Sequence, residues 1–147
     1  MTDGNTLLFY TDFTENDDRA FDIALELARK GSWKKIFLLH VIPEPDAQFW
    51  KTYLYEVDEI DAKAKNDIDE KFAVSYTARI PSHIEEIVVV RVGKSEDMIL
   101  QCAKEFEADL IVMSREGKKI SEKMVTGSLA EKIVRKAHCA VLVIPGE

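Results

Sequence analysis

"DLIVMSREGKKISEKMVTGSLAEKIVRKAHCAVLVIP", Asp109 to Pro145, contains one complete unit of the fold. It opens on a short apolar run, DLIVMS (Asp109–Ser114), and closes on another, AVLVIP (Ala140–Pro145). Neither run alternates with polar residues, which is the pattern of strands covered on both faces. Between them Leu129, Ala130, Ile133, Val134 and Ala137 recur at helical spacing. A strand, a helix and a second strand in this order predict a parallel pair joined by a crossover. The stretch before the helix holds lysines and the glycines Gly117 and Gly127. It is either a phosphate-binding turn at a helix N-terminus or a plain turn with an N-cap at Gly127-Ser128.

The same alternation extends upstream. TLLFYT (Thr6–Thr11) predicts a first strand, and KIFLLHVI (Lys35–Ile42) a second that ends at Pro43. Between them, Thr14 to Lys30 is helical, with Ala20, Phe21, Ala24, Leu25, Leu27 and Ala28 on one face. Thr14 and Asp17 resemble a capping box, and Gly31 supplies a stop. A long helix is expected from Asp46 to about Ala78, with Phe49, Tyr53, Val57, Ile60, Ala64, Ile68 and Phe72 on its apolar stripe. Pro81 breaks it. A third strand is expected near Ile87 to Val92, and a helix from Ser95 to Glu107 carrying Met98, Ile99, Cys102, Ala103 and Phe106. The order βαβαβαβαβ predicts a single α/β domain over residues 1–147: a doubly wound five-stranded parallel sheet with helices on both faces, Rossmann-like in layout. Ligands of such sheets bind outside the carboxyl ends of the strands. That rule selects Thr11–Thr14, Val41–Pro45 and the residues from Ser114 onward.

A net charge of −7 argues against a nucleic-acid or acidic-membrane binder, which needs a basic face. The absence of a long apolar run argues against a membrane span. "MTDGNTLLFY" does not read as a signal peptide, so a cytoplasmic, reducing location is expected. There Cys102 and Cys139 need not pair, and both are read as small core residues. No nucleophile–base pair and no Cys/His metal spacing stands out, so an efficient enzyme is not expected. His40 is read as a satisfied histidine within or at the end of its strand. The run ENDD (Glu15–Asp18) is read as a solvated first helical turn that favours the helix dipole. Trp50 and Tyr55 fall off the apolar stripe and are read as a partner surface or as a cap on the ligand cleft.

Ser114-x2-Gly117-x9-Gly127-Ser128 resembles the motif G-x2-G-x9-G-[ST] of the universal stress protein family, in its adenine-nucleotide-binding form. Ser114 stands where that motif has its first glycine. "GSLAEKIVRKAHCAVLVIP", "YTDFTENDDRAFDIALELA" and "LLHVIPEP" are similar to the family's other signatures, in the same order. The resemblance implies the adenine nucleotide alpha hydrolase-like fold. It implies that Asp12, with Thr11 beside it, bonds the adenine or ribose side of a nucleotide, and that Val41 contacts adenine. Gly117, Gly127 and Ser128 would cradle ribose and phosphates, with Ser114 at the strand end and Leu129 adding a backbone contact.

ATP or AMP is the implied ligand, with Mg2+ as a bridging ion where Glu116 approaches the phosphates. The implied role is a nucleotide-dependent switch or sensor in stress response. Ser114 and Glu116 favour a second expectation, a stress protein that binds no nucleotide and works through dimerisation and partner contacts. For either role, the resemblance implies a homodimer paired through the last strand, Ala140–Ile144, an apolar sheet edge.

Overall fold

A computed structural model describes residues 5–43, 57–115 and 128–145. The strands are β1 (Thr6–Tyr10), β2 (Lys35–Pro43), β3 (Glu85–Gly93), β4 (Leu110–Ser114) and β5 (Ala140–Ile144). The helices are α1 (Glu15–Lys30), α2 (Val57–Ser75), α3 (Ser95–Glu105) and α4 (Leu129–Lys136). The strands form one five-stranded parallel sheet in the order β3-β2-β1-β4-β5. This is the doubly wound arrangement expected from the sequence.

The central strand shows why the apolar runs do not alternate. Every residue of β1 is buried. Leu7 and Phe9 join a cluster with Ala20, Phe21, Ala24 and Leu25 of α1 and Phe72 of α2. Leu8 and Tyr10 point the other way, into a cluster with Ile99, Cys102 and Ala103 of α3 and Ala130 and Ile133 of α4. Successive strand residues face opposite sides, so α1 and α2 cover one face and α3 and α4 the other.

Local chemistry sets the helix ends. The Thr14 hydroxyl accepts from the Asp17 N–H, and the Asp17 carboxylate accepts from the Thr14 N–H, the capping box expected from sequence. Gly31 closes α1, its N–H donating to the Leu27 carbonyl. Helix α2 stops at Ser75, short of the expected end near Ala78, and a 3-10 turn follows at Thr77–Arg79. Pro81 disfavours helical backbone at Ile80, which is extended at ψ 127°. The N-terminal part of the expected long helix, from Asp46, falls outside the described residues, as do Trp50 and Tyr55.

Strand β3 runs beyond the expected Ile87–Val92 at both ends. Its pairing with β2 is continuous from Lys35–Glu85 to Pro43–Gly93, so backbone bonding outlasts the apolar run. Gly93 has φ +150°, a region that favours glycine, and it turns the chain into α3. Helix α3 ends before the expected Glu107, because Glu107 takes a left-handed φ of 53°. Cys102 is buried, as expected, whereas Cys139 is only half-buried. Burial pushes both thiols up. Among the described residues, no helix is long and apolar enough to cross a membrane.

Candidate functional site

In this strand order the chain leaves β1 toward β2 and leaves β4 toward β5, in opposite directions. The neighbouring carboxyl ends of β1 and β4 therefore flank a crevice at the switch point. Thr11, Asp12 and Ser114 all lie there.

The β1–α1 turn is strained and heavily tied down. Phe13 has φ +62°, a conformation that costs a non-glycine residue roughly 1–2 kcal/mol. Its N–H donates to Thr11 Oγ1 at 2.9 Å. Its ring packs on Phe72 at 4.9 Å and on His40 at 5.0 Å between centroids. These contacts offset the strain and leave the Asp12 side chain 53% exposed toward solvent.

Asp12 is held from behind. Its Oδ1 accepts from the Tyr10 hydroxyl at 2.9 Å. Because that hydroxyl has one hydrogen, the Ser95 hydroxyl, 3.2 Å away, donates to the Tyr10 oxygen. His40 Nδ1 lies 2.8 Å from the Thr11 carbonyl and 3.9 Å from Asp12 Oδ1. A carbonyl only accepts, so Nδ1 carries the hydrogen and His40 is satisfied at its strand, as read from sequence. Burial raises the Asp12 carboxyl above its ordinary value, and the charge of Asp17 adds to this, against the bond from Tyr10 and the attraction of His40. Burial likewise raises the Tyr10 phenol.

Asp17 corrects the expectation that Glu15–Asp18 is a solvated run. Glu15 and Asp18 are exposed, but Asp17 is 3% exposed. Its Oδ2 accepts from the Asp12 N–H at 2.6 Å, Thr11 Oγ1 at 3.3 Å and the Thr14 N–H at 3.4 Å. Its Oδ1 accepts from the Ser114 hydroxyl at 2.5 Å. The turn folds back on its own carboxylate, and β4 supplies the final donor. Thr11 gives its hydrogen to Asp17, so the Tyr76 hydroxyl, 2.6 Å from Thr11 Oγ1, donates to Thr11. A hydroxyl chain thus runs from the end of α2 to the crevice.

The remaining positions expected from sequence divide as follows. Val41 is 2% exposed and belongs to the apolar cluster that contains Tyr10 and Met113. Leu129 packs against the same cluster, so both sit on the α3–α4 face of the sheet. Ser128 is buried and caps α4, its hydroxyl accepting from the Glu131 N–H at 3.3 Å. Gly117 and Gly127, with Glu116, lie outside the described residues. Tyr10, Asp17, Tyr76 and Ser95 were not foreseen in the site. Of these only Asp17 carried a local signal, its place in the capping box. Among the described residues, no group of acidic, His and Cys side chains could hold a metal ion.

The two helix starts near the crevice differ in charge. The first turn of α1 carries Glu15, Asp17 and Asp18, and the Asp17 N–H is already taken by the Thr14 hydroxyl. The first turn of α4 carries Glu131 alone among acids. An incoming anion is repelled less at α4.

These features define a doubly wound α/β domain with an aspartate just past the end of β1 at the switch point and a serine-capped last helix. The universal stress protein family model matches residues 5–145, and the chain belongs to that family. Over 152 aligned residues it is 24% identical to universal stress protein MJ0577 of Methanocaldococcus jannaschii, covering 94% of this chain and 93% of the relative. A 52-residue stretch, 35% of this chain, is 42% identical to universal stress protein MJ0531 of the same archaeon, spanning 31% of that protein. The solved structure of MJ0577 superposes with a TM-score of 0.74 over 99% of both chains, at 22% identity. A universal stress protein solved in complex with cAMP gives 0.63 at 23% identity, over 95% of each chain. One from Archaeoglobus fulgidus in complex with dAMP gives 0.60 at 19% identity, over 98% of this chain and 99% of that one.

Proposed function

We propose that this chain is a cytoplasmic stress-response protein that binds ATP or AMP in the β1–β4 crevice and acts as a nucleotide-dependent switch or sensor. The observation that carries the reading is that Asp12 and Ser114 follow or end the neighbouring strands β1 and β4 at the switch point, tied together through Asp17. Val41 lies in the apolar cluster beneath Tyr10, whose hydroxyl braces Asp12, an apolar setting suited to adenine. Asp12, exposed on one side and braced by Tyr10 on the other, offers an acceptor to base or ribose donors. The start of α4, capped by Ser128, offers N–H groups to phosphates, and the family resemblance adds Gly117 and Gly127 to that role. That two relatives are solved with adenine nucleotides supports the same ligand class. With Asp12 and Asp17 close by, Mg2+ would ease the approach of a triphosphate more than that of a monophosphate. An efficient enzyme is not part of this reading; slow hydrolysis of the bound nucleotide is compatible with it.

Isothermal titration with ATP and AMP, with and without Mg2+, tests this reading. Saturable heat, displaced by a fluorescent adenine nucleotide and lost in Gly127→Val, supports it. No heat and no competition sink it.

A second reading has its own observation. Ser114 spends its hydroxyl on Asp17, not on a ligand, in a crevice that already carries negative charge. A protein of this fold that binds no nucleotide and acts through dimerisation is the outcome if the titration is silent.

A further inference from the structure

The connection between Asp17 and Ser114 spans 97 positions of sequence and joins the two strand ends that flank the crevice. Asp17 is buried, yet its partners all come from the β1–α1 turn and from Ser114. The turn alone supplies donors to Oδ2, and Ser114 supplies the donor to Oδ1. Glycine at 114 would leave that oxygen without this partner, and Asp17 without its tie to β4.

We propose that Asp17 and Ser114 are a positioning pair for the crevice. The buried carboxylate locks the backbone of Asp12 to the end of β4. Its charge at the start of α1 sends ligand phosphates to α4. Ser114 is therefore the partner that Asp17 requires, and not an obstacle placed in the ligand's path. The charge-directing part rests on the nucleotide reading above; the tie itself does not.

The test compares wild type with Asp17→Asn, Ser114→Ala, Ser114→Thr and the Asp17→Asn/Ser114→Ala double variant. Urea denaturation reads the folding constant, and competition titration reads the ratio of ATP to adenosine affinity. Ser114→Ala should lower the folding constant roughly tenfold, and Ser114→Thr, which keeps the hydroxyl, should restore most of it. The double variant should lose less than the product of the single losses. Strict multiplicativity, or equal stability of the alanine and threonine variants, overturns the tie. If Asp17→Asn does not fold, the alanine–threonine comparison decides alone.

Asp17→Asn should raise ATP affinity relative to adenosine by a factor of roughly three or more, because one negative charge leaves the crevice. A purely structural role would change both affinities alike, and that result overturns the directing role. A wild type that binds neither ligand ends the directing role together with the nucleotide reading, while the denaturation cycle still judges the tie.

Discussion

The Tyr76 hydroxyl lies 2.6 Å from Thr11 Oγ1, so the chain end of α2 reaches the turn that presents Asp12. Tyr76 is 1% exposed, and its ring packs on Phe9, Phe21 and Phe13. The apolar body fills the core while the hydroxyl orders the site.

Tyr76→Phe should keep the packing and lose the bond. The expected cost is about 1–2 kcal/mol, since Thr11 Oγ1 keeps its other partners. Urea denaturation measures it. Burial pushes the Tyr76 phenol up to about 12 from its ordinary 10.0. A raised pKa means that the folded state holds the proton more tightly than the unfolded chain. The contribution is full below pH 10.0 and is lost as pH rises through about 12. Tyr76→Phe should therefore flatten the fall in stability across that window. An unchanged slope would assign the fall to other groups.

Asp12→Asn should separate stability from binding. Burial raises the Asp12 carboxyl, so the folded state prefers it protonated. Its favourable contribution is present below the ordinary value of 3.8 and is lost as pH rises through the higher folded value. At neutral pH the ionised group therefore weighs against folding. Asparagine removes that charge and still accepts from Tyr10, so the variant should be at least as stable as wild type at pH 7. Its nucleotide affinity should fall about tenfold or more if Asp12 bonds the base or ribose. Thermal melts and titration read the two effects separately. A destabilised variant with unchanged affinity would contradict both halves.

The fold was legible because its signals are local. The unbroken apolar run of Thr6–Tyr10 encodes a strand covered on both faces, and Thr14 with Asp17 encodes a helix start. Ser128 was legible as a cap for the same reason. The interior of the site was not. Asp17 sits in a charged run that normally faces water, yet its buried carboxylate meets a serine 97 positions away. Ser95 reaches Tyr10, and Tyr76 reaches Thr11, across 85 and 65 positions. A periodic pattern records which face of an element is covered, but not which polar groups meet across elements.

Ser128→Ala should cost about 1 kcal/mol through loss of the α4 cap to Glu131. The helix has only 8 residues, so fraying at its start should propagate to the N–H groups proposed to meet phosphate. ATP affinity should fall more than adenosine affinity. Ser128→Asp keeps a capping oxygen but adds a negative charge, so it should recover stability without recovering ATP binding. Recovery of both would mean that phosphates do not sit at this helix start.

The edge strand gives the last prediction. Strand β5 pairs only with β4 among the described strands, and Val141, Leu142 and Val143 are half-buried. The Arg115 N–H donates to the Ile144 carbonyl, so the backbone of Ile144 faces β4. Strand geometry then turns the backbone N–H groups of Val141 and Val143 outward, away from the sheet. If the protein dimerises through this edge, those groups are the donors offered to a second copy. Val143→Pro removes one of them while sparing the bonds to β4, and proline is tolerated at such an edge position. Light scattering at micromolar concentration should show a dimer for wild type and a monomer for the variant, with circular dichroism confirming that the variant is folded. A folded Val143→Pro that remains dimeric, together with Val141→Pro behaving alike, would place the interface elsewhere.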